Sequence, residues 1–248
     1  MMVPMTVGVY GMGRFGRLWA ELLSRNFRVL AANRSPVADP PEGVTMVEAE
    51  DLGECRALFL CVAISAVPSV LERISPHLRS GQLVADTCSV KLQPVAWMSE
   101  ALPEGVQILG THPMFGPDSL RNREGALPLV LSPVRVEGET YATWREHFHA
   151  LGMDLYEMSP EEHDRQAAYT QGITHLIGRI LADFGVPDSK IGTLGYRRLQ
   201  QVMEQTCNDP YQLFLDLQHY NPYTPEMRSR FTESLSRVLT DLNDRGEY

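Results

Sequence analysis

The chain has 248 residues, a hydrophobic fraction of 44%, a charged fraction of 21% and a formal net charge of −9. That acidity argues against nucleic acid or an anionic membrane as a partner, and any anionic ligand must be held by locally placed cations and backbone donors. Apolar runs such as 57–63 fall far short of the roughly 18 residues a membrane span needs. The N-terminus runs straight into a strand-like segment without a signal-like stretch, so a cytoplasmic location is expected. Cys55, Cys61, Cys88 and Cys207 show neither CxxC spacing nor a His/Cys cluster. They read as reduced structural thiols, and no metal site is expected.

In chain order, 3–10 is a short apolar run, 14–24 has helical spacing and 28–32 is apolar again. Further buried-strand candidates follow at 58–64, 82–85, 106–110 and 127–131, separated by polar stretches rich in Pro, Gly and Ser such as 35–43. Such alternation predicts crossover connections and a parallel sheet covered on both faces, an α/β doubly wound domain over 1–158. Beyond it the strand pattern stops. Ser159-Pro160-Glu161-Glu162 reads as an N-cap, a proline at the first helical position and two acids in the first turn. One long helix is expected from there to about 184, ended by Gly185-Val186-Pro187. Others are expected over 194–207, from Asp209-Pro210 onward, and after the break at 222–225 to about 243. Residues 159–248 therefore read as an all-helical second domain.

Gly11-Met12-Gly13-Arg14-Phe15-Gly16 lies between the first strand and the first helix, where a dinucleotide-binding loop belongs. Gly11 permits the tight turn, Gly13 lets the backbone approach a pyrophosphate and Gly16 lets helix and strand pack closely. Arg14 and Phe15 belong to the same cofactor-binding loop. About 20 residues on, the second strand ends in Asn33-Arg34-Ser35, where an NAD enzyme usually carries an acid for the ribose diol. An amide, a guanidinium and a hydroxyl there suit a 2′-phosphate, so NADP is the expected cofactor.

Two later segments follow strands and so reach the carboxyl edge of the sheet, where open α/β folds bind ligands. They are Asp86-Thr87-Cys88-Ser89-Val90-Lys91 and Gly110-Thr111-His112-Pro113-Met114-Phe115-Gly116-Pro117-Asp118. A histidine held between a strand end and a Pro-rich turn suits proton transfer near neutral pH, though a structural role is as compatible with its setting.

This pair of segments resembles the arogenate/prephenate dehydrogenases. The likeness continues through Glu162-His163-Asp164, Gln171-Gly172-Ile173-Thr174-His175, Gly178-Arg179 and Ile191-Gly192-Thr193-Leu194-Gly195-Tyr196 to Asp209, and is strongest to the plant-type arogenate branch. The resemblance implies that His112 takes the proton of the ring C4 hydroxyl as hydride leaves that carbon, and that loss of CO2 then aromatises the ring. It implies that Ser89 hydrogen-bonds His112. It also implies that Gln171 and His175, four apart on one helix, border the substrate with Thr193 nearby. His163, in the first turn of that helix, reads as a surface or packing residue.

Arogenate carries an ammonium where prephenate has a ketone, and the plant-type enzymes have an acid at the position of Asp209, which a helix N-cap would also explain. Many bacterial prephenate enzymes carry arginine where this chain has Glu204. The sequence therefore favours arogenate over prephenate, with Arg121 the candidate for a substrate carboxylate. Rival readings are another NADP oxidoreductase such as a β-hydroxyacid dehydrogenase or imine reductase, and a catalytically silent NADP sensor. A homodimer through the helical domain, as in the family, is expected.

Overall fold

A computed structural model describes residues 5–118 and 127–244. The chain divides into two compact units, Met1–His163 and Asp164–Tyr248.

The first unit is built on an eight-stranded sheet in the order β3-β2-β1-β4-β5-β6-β7-β8. Its strands are β1 (Thr6–Tyr10), β2 (Arg28–Ala32), β3 (Val44–Met46), β4 (Ala57–Leu60), β5 (Leu83–Asp86), β6 (Gln107–Pro113), β7 (Leu127–Arg135) and β8 (Met153–Glu157). Helices α1 (Arg14–Ser24), α2 (Val67–Ile74), α3 (Leu92–Ala101) and α4 (Gly138–Ala150) accompany them. Strand β1 pairs with both β2 and β4, so the order reverses between β1 and β4, which is where such sheets bind ligands.

Strands β1, β4 and β5 are almost wholly buried, as expected when helices cover both faces. Helix α1 packs on the sheet through Gly16, Trp19, Ala20, Leu22 and Leu23, which recur at helical spacing on one face. Trp19 meets Phe59 edge-on at 5.6 Å, and Phe59 meets Trp144 likewise at 5.3 Å. Such pairs contribute about 0.5–1.5 kcal/mol each beyond area burial, which anchors α1 and α4 to the sheet.

The sheet is not all parallel. Strand β7 runs antiparallel to β6, with His112 opposite Val130, and β8 then pairs parallel to β7. An apolar run reports burial but not strand direction, so the sequence pattern could not separate the two arrangements.

In the second unit the expected single helix to residue 184 is interrupted. Helix α5 (Pro160–Ala167), which spans the boundary between the units, passes through one π-helical turn (Ala168–Gly172) into α6 (Ile173–Phe184). Ser159 caps α5 as its sequence indicates, its Oγ accepting from the Glu162 amide at 3.1 Å. Gly185 closes α6 in the left-handed region at φ 75°. Helices α7 (Leu194–Asn208), α8 (Tyr211–Tyr220) and α9 (Thr224–Asp244) follow. Gly178 allows α6 and α7 to touch, because a Cβ there would lie 2.0 Å from Thr206 Oγ1.

Candidate active site

The glycine loop leaves β1 where the sheet order reverses. Gly11 has φ 103°, and a Cβ on it would lie 2.4 Å from the Cys61 carbonyl. A Cβ on Gly16 would lie 1.9 Å from the Gly11 carbonyl, so the turn and the start of α1 close only with glycine at both positions. Gly13 differs: a Cβ there meets nothing within 4 Å. Its backbone faces open space at the N-terminus of α1, the arrangement a pyrophosphate requires, and a dinucleotide fits these residues.

Asn33 braces that loop. Its Oδ1 accepts the Met12 amide at 2.9 Å and its Nδ2 donates to the Ser35 carbonyl at 2.9 Å. The amide therefore acts on the protein itself, and Arg34 and Ser35 stand exposed at the end of β2. Arg14 pairs with Asp118 at 2.8 Å. Both side chains are partly exposed, so the pair contributes about 1 kcal/mol or less. Phe15 stacks on Trp19 at 5.8 Å and acts as a core contact.

Behind the loop after β5 lies a buried ion pair. Lys91 and Asp86 are fully buried and bonded to each other, and Lys91 Nζ also donates to the Thr111 carbonyl at 2.6 Å. Asp86 accepts the amides of Cys88 at 2.9 Å and Thr111 at 3.3 Å. The Ser89 loop is thereby fixed to β6 one residue before His112. Removing either charge would leave the other buried and unpaired, at a cost of about 3–5 kcal/mol.

His112 belongs to strand β6 itself rather than to the loop after it, and it is 4% exposed. Ser89 Oγ is buried without a hydrogen-bond partner, so the expected Ser89–His112 bond is not formed. His163 takes that place: its Nε2 lies 2.8 Å from His112 Nδ1 and its ring is 3% exposed. Burial, then the charges of His163 and Lys91, hold His112 well below the usual histidine range. It is a neutral imidazole at neutral pH and can accept a proton.

In the second unit, Gln171 lies in the π turn, a wider turn often found at functional positions. It is therefore not in straight α-helical phase with His175, as its spacing alone suggested. Gln171 Oε1, His175 Nδ1 and Arg179 Nε are all buried without a partner. Leaving such an atom unpaired costs about 1–3 kcal/mol, so this stretch is suited to receive a polar ligand. Burial and then the Arg179 charge push His175 down to about 4. Arg179 Nη2 donates to the carbonyls of Thr206 at 3.0 Å and Asp209 at 2.8 Å, and its guanidinium lies over the rings of Tyr211 and Phe214.

Thr193 caps α7, accepting the Tyr196 amide at 3.2 Å. The N-cap position of α8 is Pro210, so Asp209 stands one residue before the cap its sequence suggested. Glu204 is exposed, and Arg121 lies outside the described residues. No group of His, Cys, Asp and Glu among the described residues could hold a metal ion. Nor is any described helix long and apolar enough to cross a membrane.

The family model for the prephenate dehydrogenase nucleotide-binding domain matches residues 42–135, and that for the TYRAAT1-like C-terminal domain matches 180–247. Arogenate dehydrogenase 2, chloroplastic, of Arabidopsis thaliana is 34% identical over 95% of this chain and 69% of its own length. The chain belongs to the arogenate/prephenate dehydrogenase family. A second Arabidopsis relative, arogenate dehydrogenase 1, chloroplastic, is 32% identical over 95% of this chain but only 39% of its own length. Among solved structures, Synechocystis arogenate dehydrogenase has a TM-score of 0.62 at 22% identity, covering 98% of this chain and 100% of that one. The prephenate dehydrogenase of A. aeolicus, in complex with hydroxyphenyl propionate and NAD+, has a TM-score of 0.71 at 17% identity, covering 97% and 92%. These structural likenesses support the fold, and membership of the family makes the chain a nucleotide-binding oxidoreductase. The residues that sequence reasoning undervalued for such an enzyme are His163 and the Asp86–Lys91 pair.

Proposed function

We propose that the chain catalyses the NADP-dependent oxidative decarboxylation of arogenate to tyrosine. The observation that carries this reading is His112, a buried neutral imidazole at the carboxyl end of β6 with Nδ1 engaged by His163. Its Nε2 takes the proton from the ring C4 hydroxyl as the C4–H bond breaks. A nicotinamide dinucleotide bound at the glycine loop supplies the hydride acceptor. The resulting dienone loses its ring carboxylate as CO2, the C–C bonding pair entering the ring and forming a phenolate. The imidazolium of His112 can return its proton to that oxygen.

Ser89 Oγ, Gln171 Oε1 and His175 Nδ1 are buried polar atoms awaiting partners and are assigned to ligand groups. Asp209 is assigned to the substrate ammonium, and the likeness to two arogenate dehydrogenases of Arabidopsis supports arogenate as the substrate. Steady-state kinetics with arogenate and prephenate side by side test the assignment. Preferred turnover of arogenate is expected. Preference for prephenate moves the chain to the other branch, and turnover of neither ends the reading.

NADP preference rests on Arg34 and Ser35, exposed at the end of β2 with no carboxylate between Ala32 and Pro36. The double variant Asn33→Asp, Arg34→Ala removes a cation and adds a carboxylate. The new Asp retains an acceptor for the Met12 amide but loses the donor to the Ser35 carbonyl, so half of the brace remains. One charge-assisted hydrogen bond contributes about 1.5–3 kcal/mol, so the NADP+/NAD+ ratio of kcat/KM should fall at least about tenfold. An unchanged ratio places the 2′-phosphate elsewhere.

The homodimer reading rests on α9. Leu235, Val238, Leu239 and Leu242 recur at i, i+3, i+4 and i+7, and all four are at least half exposed. Such a stripe suits a second copy of the chain.

A further inference from the structure

The contact between His112 Nδ1 and His163 Nε2 at 2.8 Å joins two ring nitrogens, each of which can be donor or acceptor. A hydrogen bond needs one proton between them, so one nitrogen must donate and the other accept. The two directions have opposite consequences. If His163 donates, neutral His112 carries its proton on Nε2, and that nitrogen cannot take another. If His112 donates, its Nε2 bears the lone pair and can act as the base.

We propose that His163 is the positioning residue of this enzyme: its Nε2 accepts the Nδ1–H of His112 and holds the base in the tautomer whose Nε2 is free to take the substrate proton. The inference rests on the reading of His112 as the base. The bond also changes during reaction in a useful sense. Once Nε2 has taken the proton, the Nδ1–H of an imidazolium points at His163, and a charge-assisted hydrogen bond is stronger than a neutral one. With His163 neutral, the interaction therefore favours the state in which charge develops over the ground state, whereas a charged His163 opposes it. Because both rings are almost wholly buried, it replaces the solvation that the imidazolium lacks.

The fold holds His163 in place through three successive attachments. Val130 of β7 lies opposite His112, and β8 pairs with β7 at Val130–Tyr156 and Leu131–Glu157. At the exit of β8, the Met158 amide donates to the Leu131 carbonyl at 3.1 Å, and Ser132 Oγ donates to the Met158 carbonyl at 2.8 Å. Ser159 then caps α5, whose first turn carries His163, and the His163 amide bonds the Ser159 carbonyl at 3.0 Å. The imidazole therefore stands on a strand–helix junction tied back to the strand beside the base. The rings meet at 69° with centroids 5.0 Å apart.

Nitrogen-15 labelling of the histidines in the intact protein reads the tautomers directly, with His112→Asn and His163→Gln supplying the assignments. Expected are a protonated Nδ1 and bare Nε2 on His112, with a bare Nε2 on His163. A proton on His112 Nε2 overturns the proposal. Kinetics give a second readout. His163→Leu removes the acceptor and should lower kcat by about 10²-fold, the lower end of what a positioned base contributes, with the cofactor KM unchanged. His163→Gln can place an amide oxygen near the site of Nε2 and should restore most of that loss. Equal losses in the two variants mean packing alone and refute the positioning role. Should the leucine variant fail to fold, the wild-type tautomer decides. If the wild type turns over neither substrate, the functional reading fails, while the tautomer is still measured and decides the proposal.

Discussion

Replacing His112 with asparagine is expected to lower kcat by about 10²–10⁴-fold, the usual contribution of general base catalysis, while affinity for the dinucleotide stays nearly unchanged. The substitution is selective. An asparagine amide reaches about as far as Nδ1 and can keep a partner for His163, but nothing replaces Nε2. Fold and cofactor loop are untouched because the glycine loop lies at β1 and His112 lies on β6. Ser89→Ala should cost less activity and no stability, because its hydroxyl is buried without a partner and its removal relieves that cost. The pH profile gives an independent check. Since burial, His163 and Lys91 hold His112 well below 6.5, the base remains neutral as pH falls through 6.5. The acid limb of kcat should therefore lie below that value in the wild type. It should vanish, together with most of the rate, in the variant. Near wild-type turnover by His112→Asn would end the mechanism.

How much of this was legible in the sequence depends on how local the cause is. The glycine loop could be read because each glycine answers to its own backbone: Gly11 needs a positive φ, and Gly16 must lie against the Gly11 carbonyl. Ser159 and Gly185 likewise carry their capping chemistry within a turn. Strand β8 was not legible, because only Met153 of its five residues is buried and an edge strand leaves little apolar pattern. The direction of β7 and the π turn at Gln171 depend on packing partners far away in sequence.

The contact of His163 with His112 was invisible for the same reason. Nothing in Glu162-His163-Asp164 says that the histidine reaches His112, 51 residues earlier. That contact exists only because β8 lies two strands from β6 and α5 begins where β8 ends. Ser89 shows the converse. Its position in the loop could be read, but its hydrogen-bond partner could not, because Asp86, Lys91 and Thr111 fix the loop while leaving the hydroxyl without one.

Asp209→Asn is expected to lower the arogenate-to-prephenate ratio of kcat/KM at least about tenfold. Losing one desolvated charge pair costs about 2–5 kcal/mol, partly through the unpaired ammonium left behind, and about 1.4 kcal/mol corresponds to tenfold. The amide also removes the repulsion between a carboxylate and the keto-acid end of prephenate, so activity on prephenate should rise as that on arogenate falls. The local backbone gives the substitution its power. Asp209 sits in extended conformation, φ −75° and ψ 146°, between α7 and α8. Its carbonyl is held by Arg179 at 2.8 Å, and the same guanidinium lies 5.2 Å from the centre of the Tyr211 ring. These contacts involve the main chain of residue 209 and the side chain of 211, so exchanging carboxylate for amide leaves them in place. With Pro210 at the N-cap position of α8, a capping role for Asp209 does not predict a selective effect on one substrate. Comparable losses on both substrates, or a lower Tm with an unchanged ratio, would assign Asp209 to structure. A ratio that inverts while Tm holds would assign its carboxylate to the ammonium that distinguishes arogenate from prephenate.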